Sequence, residues 1–192
     1  RKWLEQVRTN AGFHDDIEIF DGQQLSGDIK FKIVPSKDLD SDQVSFSYRR
    51  GSGEIFIKVS SLEPISESIK LSEHERQMLD RQVIRALRFR AKEVLPARLK
   101  EISLKMGVNY SSVTIRDTSS RWGSCSSNND INLSLWLTML PGELITYVIV
   151  HELAHVSFKH HGKEFWDEVA RWLPNHKELR ARLKKHSAQV WW

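Results

Sequence analysis

Short runs in which apolar and polar residues alternate fill the first sixty positions of the chain. Ile17-Glu18-Ile19, Ile29-Lys30-Phe31-Lys32-Ile33, Val44-Ser45-Phe46-Ser47-Tyr48 and Ile55-Phe56-Ile57-Lys58-Val59 each show the period of two that turns one face of a strand inward. Arg50-Gly51-Ser52-Gly53, between the last two runs, reads as a hairpin turn, and the four runs together predict an antiparallel sheet. The pattern then changes. Leu62 to Ser72 contains Pro64 and several serines and reads as a linker or loop, separating a mainly β region, residues 1–70, from a second region, residues 71–192.

The second region is spaced for helices. Ser72 followed by Glu75 resembles a capping box and opens a long helix toward about Lys105, kinked or divided at Pro96 and ended by Gly107. Ile84, Leu87, Ala91, Val94 and Leu95 make its apolar face, with Arg81, Arg85, Arg88 and Lys92 as a stripe beside it. Val113-Thr114-Ile115 and Ile131-Asn132-Leu133-Ser134-Leu135 are predicted strands enclosing a loop, Trp122-Gly123-Ser124-Cys125. Pro141 then suits a first helical turn, and Glu143 favours the positive end of the helix dipole. Leu144, Ile145, Tyr147, Val148, Ile149, Val150, Leu153 and Ala154 follow without a breaker and are apolar around most of the circumference, so this helix is predicted to be buried. Two more helices, roughly Lys163 to Trp172 and Pro174 to His186, are split by Pro174.

The apolar helix carries the chemistry. His151-Glu152-Leu153-Ala154-His155 puts two histidines roughly 40° apart around the axis and about 6 Å apart along it, so both imidazoles can meet one ion. Glu152, about 100° round, can reach a metal-bound water without occupying a coordination position. The five-residue pattern also arises by chance in solvated helices, where its members are surface groups. In a buried helix an unpaired carboxylate is costly, and zinc would supply the partners. A catalytic zinc takes a further protein ligand. A continuing helix would carry His161 about 15 Å beyond His151, so the chain must turn back after His155, near Gly162. Spacing alone leaves His160, His161 and the carboxylates Glu164, Glu168 and Glu178 open as that ligand.

The run from Ser120 to Pro174 resembles the YgjP-like branch of SprT-like, WGSC-containing bacterial metallopeptidases. The resemblance rests on Arg121-Trp122-Gly123-Ser124-Cys125, Ile131-Asn132-Leu133, Pro141, Tyr147-Val148, His151 to His155, His161 and Phe165-Trp166. It implies His151, His155 and His161 as zinc ligands, Glu152 as general base, and His160 as a neighbouring or surface residue. In that family the WGSC loop lies near the active site, which makes Arg121 and Trp122 candidates for substrate or oxyanion contacts. The alternative for that pair is structural, with Arg121 paired to Asp117 and Trp122 in the core. Metzincins also space the third histidine ten residues after the first but place a glycine between the last two, where this chain has Phe158. The implied fold class is α+β: an antiparallel N-terminal sheet followed by a zincin-like helical metallopeptidase domain with a small sheet.

Composition narrows the classes. At 192 residues and 40% hydrophobic content the chain can build a core without staples. Its single cysteine, Cys125, excludes an intramolecular disulfide, and no apolar run approaches the length of a membrane span. Arg1-Lys2-Trp3-Leu4 lacks the apolar core of a signal peptide, so a cytoplasmic protein is expected. A net charge of +4 and a pI near 9.2 permit anionic partners without demanding them.

The expected activity is peptide hydrolysis: zinc-bound water attacks a carbonyl, Glu152 takes its proton and returns it to the leaving amine, and Ile131 to Leu137 offers a strand edge to the peptide or protein substrate. Three other readings compete. A metal-dependent phosphohydrolase, acting as a nucleoside triphosphate pyrophosphatase, would use Arg81, Arg85, Arg88 and Lys92 to hold nucleotide. A DNA-associated SprT-like protease would use the same stripe for nucleic acid, although the chain lacks the cysteines of an accessory zinc ribbon. A purely structural zinc would recruit Cys125 as fourth ligand. Trp191 and Trp192 read as docked or as an exposed patch.

Overall fold

The computed structural model describes residues 18–22, 24–26, 29–38, 44–49, 54–59, 68–70, 72–118 and 120–187. Ile17, the turn at 50–53, residues 62–67 and 71 of the expected linker, and Trp191 and Trp192 lie outside them. The chain forms two compact units, Arg1–Phe89 and Arg90–Trp192.

In the first unit, β1 (Glu18–Phe20) pairs antiparallel with β6 (Ser68–Lys70), so part of the expected linker is a strand. Strands β2 (Gln24–Ser26), β3 (Ile29–Pro35), β4 (Val44–Arg49) and β5 (Glu54–Val59) make a second sheet in the order β2-β3-β5-β4. Alternation does what the sequence requires: Ile29, Phe31 and Ile33 of β3 and Ile55, Ile57 and Val59 of β5 are buried, while Lys30 and Lys32 are exposed. The sheet is not wholly antiparallel. Strands β4 and β5 pair antiparallel as expected, but β4 takes the outer edge, so β5 lies beside β3 and runs parallel to it, pairing Phe31 with Ile55 and Ile33 with Ile57. Sequence alternation fixes which face is buried and is silent about which strand is the neighbour.

The helix α1 (Glu73–Met106) begins with the expected cap: Ser72 N–H donates to Glu75 Oε2 at 2.7 Å, and Glu75 N–H to Ser72 Oγ at 3.4 Å. Pro96 lies inside it without dividing it. Gly107, with φ of 67°, ends it in the left-handed conformation that glycine adopts freely. Leu87, Ala91 and Leu95 are buried, Ile84 and Val94 half-buried, and Arg81, Arg85, Arg88 and Lys92 exposed.

In the second unit, β7 (Ser112–Arg116), β8 (Gly123–Cys125) and β9 (Asp130–Ser134) form a sheet in the order β7-β9-β8. Gly123–Cys125, expected as a loop, is therefore a strand, antiparallel to β9, while β7 is parallel to β9. After a 3-10 turn, Leu135–Met139, come α2 (Gly142–Ser157), α3 (Lys163–Trp172) and α4 (His176–Ser187). The buried residues of α2 include Leu144, Ile145, Tyr147, Val148, Ile149, Val150, Leu153 and Ala154, and the helix packs against β8, α3 and α4. Arg98 ties α1 to its start, donating to Gly142 O at 2.7 Å and Thr146 Oγ1 at 2.6 Å. No helix among the described residues is long and apolar enough to cross a membrane.

Candidate metal centre

The uninterrupted apolar run of α2 carries His151 and His155 one turn apart, on one face, with ring centroids 5.0 Å from each other. The helix stops at Phe158, whose extended backbone (φ −128°, ψ 98°) still donates its N–H to Ala154 O at 2.9 Å. The chain then doubles back through Gly162, whose N–H meets His160 O at 2.8 Å. This reversal brings His161 Nε2 to 3.1 Å from His151 Nε2 and its ring centroid to 4.6 Å from that of His155.

One ligand atom from each of His151, His155 and His161 lies within 4.8 Å of the others. Imidazole ligands about 2.0–2.1 Å from a tetrahedral ion sit some 3.4 Å from one another, so this donor set fits a metal such as zinc with little movement. Burial lowers all three basicities. It pushes His151 down to about 3, with the neighbouring His155, His161 and Arg180 adding to the effect; it also leads the downward shifts of His155 and His161. Neutral imidazoles are the ligand form. His155 is also oriented: its Nδ1 lies 3.0 Å from Phe158 O, and a carbonyl only accepts, so Nδ1 carries the hydrogen and Nε2 the lone pair.

His160 and Glu164 are exposed and outside the cluster. Glu168 accepts from Trp172 Nε1 at 2.8 Å, and Glu178 pairs with Arg182 at 3.9 Å. Cys125 is half-buried with its thiol held up in pKa by burial; its Sγ faces Ser126 O at 3.5 Å and is likewise outside the cluster.

Glu152 is only 2% exposed, and burial pushes its carboxyl up to about 8, against the opposing charge of Arg121. Its place depends on Gly123. A Cβ there would stand 2.8 Å from Glu152 Cγ and Oε1, so β8 can approach α2 only with no side chain at that position. Gly123 thus serves a close approach rather than the tight turn its neighbours suggest. Arg121 is exposed within electrostatic reach of Glu152. Trp122, by contrast, is 2% exposed with its carbonyl accepting from Ser134 N–H at 2.9 Å, which makes its indole a core element rather than a surface a substrate reaches.

Two contributors, Lys159 and Arg180, carry no signal in the sequence. Lys159, in the turn between the last two histidines, donates to Ser126 O at 3.0 Å and Asn129 Oδ1 at 2.6 Å, pinning that turn to the β8–β9 connection. Tyr147 and Arg180 line, with His151, Glu152, His161 and Trp166, a cavity of about 560 Å³ beside the cluster. Aromatic packing from α3 completes the support. Phe165, fully buried, lies with its ring centroid 4.9, 4.5 and 4.7 Å from those of His151, His155 and His161, and Trp166 stacks on His161 at 5.7 Å. Phe165→Ala is expected to destabilise the fold by about 3–5 kcal/mol in chemical denaturation. A loss below about 1 kcal/mol would mean that the ring does not brace the three imidazoles.

Comparison with known proteins places the chain. The model of the YgjP-like family, described as a YgjP-like metallopeptidase domain, matches residues 45–186. Two solved structures are similar. The metallopeptidase zymogen of Pyrococcus abyssi abylysin is 24% identical, with a TM-score of 0.47, over 52% of this chain and 100% of its own. The metallopeptidase zymogen of Methanocaldococcus jannaschii jannalysin is 22% identical, with a TM-score of 0.44, over 48% of this chain and 95% of its own. No curated protein sequence matches. With the family match running through both units and across the whole histidine cluster, the chain belongs to the YgjP-like family of metallopeptidase domains.

Proposed function

We propose that this chain is a zinc-dependent peptidase in which His151, His155 and His161 hold the metal and Glu152 is the general base. The observation that carries this reading is the convergence of three imidazoles beside a buried carboxylate on an open cavity. Three neutral nitrogens and no thiolate suit zinc at a site that keeps a position for water or substrate. Zinc in such a site supplies Lewis acidity, polarising a carbonyl and making water acidic near neutral pH.

The remaining work falls to the chain. Glu152 accepts the proton of the attacking water and delivers it to the leaving amine; its burial strengthens it as a base, and Arg121 opposes that shift so that the ionised form stays accessible. Phe165, Trp166 and the Phe158 carbonyl hold the imidazoles in orientation. An extended substrate needs a free strand edge. The β9 segment expected for that role is paired on both sides, by β7 and β8, so β8, at the sheet's edge and against Glu152, is the strand assigned to it.

Stripping the metal with a chelator is the first test of the ion. If zinc is present at about 100 times its Kd, its removal should lower stability by about 2.7 kcal/mol, seen as a fall in Tm that added zinc reverses. An unchanged Tm would count against a site formed by the folded chain.

A further inference from the structure

The cavity beside the histidines carries charge that the hydrolytic step does not use. Arg180 and Lys184 stand four apart on α4, hence on one face, and both line that cavity together with His151, Glu152 and His161. Arg182, between them, is neutralised by Glu143 and Glu178. Neither Arg180 nor Lys184 has a carboxylate within ion-pairing distance among the described residues. Both are exposed.

Arg180 is nevertheless held in place. Its guanidinium lies 4.8 Å from the centroid of the Trp166 ring, and that ring stacks on His161 at 5.7 Å and on His176 at 5.9 Å. A guanidinium held through its π contact keeps the N–H donors in its plane for another acceptor, and their fork matches a carboxylate. The same cavity has apolar wall from Leu183 and Val148, and its volume of about 560 Å³ lies in the range of small-ligand sites. Apolar wall for a stem and a cationic wall for its end describe an acidic residue.

The geometry points to a carboxylate-binding subsite: Arg180, assisted by Lys184, receives a carboxylate of the peptide substrate next to the cleaved bond. This assignment rests on the peptidase reading above. An aspartate or glutamate side chain and a free chain terminus present the same group, and both are tested. Glu152, the acid on the same cavity, comes from α2 and serves as base, so anchor and base belong to different elements.

Binding can be measured without turnover in the zinc-loaded Glu152→Gln chain, by fluorescence anisotropy with labelled alanine-rich peptides. Glutamate or glutamine is scanned through each position, and every peptide is made with a free-acid and an amide terminus. In at least one register, or at the terminus, the carboxylate form should bind about tenfold tighter than its amide counterpart, a typical effect of a charged hydrogen bond. Adding Arg180→Gln should cut that preference to about twofold or less, while Arg180→Lys, which keeps the charge but not the fork, should retain part of it. A side-chain anchor shows the preference in one glutamate register under both termini, and a terminal anchor shows it only with the free acid. The subsite is overturned if no carboxylate gains more than about twofold, or if the preference survives intact in Arg180→Gln. Cleavage by the chain with Glu152 intact is read separately. Selective binding without cleavage would uphold the subsite and overturn the peptidase reading, whereas cleavage with no carboxylate preference would overturn the subsite alone.

Discussion

Replacing Glu152 by glutamine is expected to leave zinc bound and to lower peptide hydrolysis by about 10²–10⁴-fold, the usual contribution of a general acid–base group. The amide has nearly the shape of the carboxylate, so it fits the space against Gly123. It cannot accept the proton. The prediction concerns kcat, because Glu152 is assigned a role in the reaction and not in holding substrate. Metal analysis and steady-state kinetics on the same preparation check it. Full activity with zinc retained would remove Glu152 from the mechanism, and loss of zinc would mean that the carboxylate shapes the site itself.

Gly123→Ala is expected to damage the same centre from the opposite side. The new Cβ would stand 2.8 Å from Glu152 Cγ and Oε1 and 3.0 Å from Cδ, closer than real Cβ atoms come to anything. Both residues are buried, so the strain falls on the β8–α2 contact or on the Glu152 rotamer. Overpacking of this kind costs about 1–3 kcal/mol of stability. A displacement of the carboxylate by about 1 Å costs roughly a further 10²-fold in rate. Substitution of Ser124, half-buried on the same strand, serves as the comparison. If Gly123→Ala kept both Tm and kcat/KM, the close approach would have no bearing on the centre.

How much of this centre could be read in advance follows from how local each part is. His151, Glu152 and His155 sit on one continuous helix, where spacing converts directly into geometry, and the apolar run around them announced its burial. His161 was different. Its approach depends on the chain reversing over Phe158 to Gly162, which spacing required but could not direct to one residue; the resemblance chose His161, and the structure brings that side chain to the other two. Lys159 and Arg180 were invisible for a common reason. Each acts across tens of residues, through a bond to the β8–β9 connection or a place on a cavity wall, and no local pattern encodes such a contact.

The sheets teach the same lesson. Alternation identified the buried faces of β3 and β5, yet the parallel pairing of those two strands depends on β4 taking the edge, a matter of tertiary neighbours. The expectation of a substrate-pairing edge on β9 failed for that reason too: a strand between two partners has no edge to offer. Trp122 shows how proximity in sequence misleads about exposure. It is adjacent to Gly123 and Arg121, yet its indole is 2% exposed and goes into the core while Arg121, one residue before it, stays at the surface.

The central claim is a zinc ion held by three imidazoles with a position left open, and X-ray absorption at the zinc edge of the loaded chain tests it most directly. A first shell of light scatterers only is expected, nitrogen and oxygen at about 2.0–2.1 Å, with the outer-shell features of imidazole, and those features should weaken by about one third in His161→Ala, where two of the three imidazoles remain. A sulfur scatterer at about 2.3 Å would contradict it, placing Cys125 on the metal and making the ion a structural one.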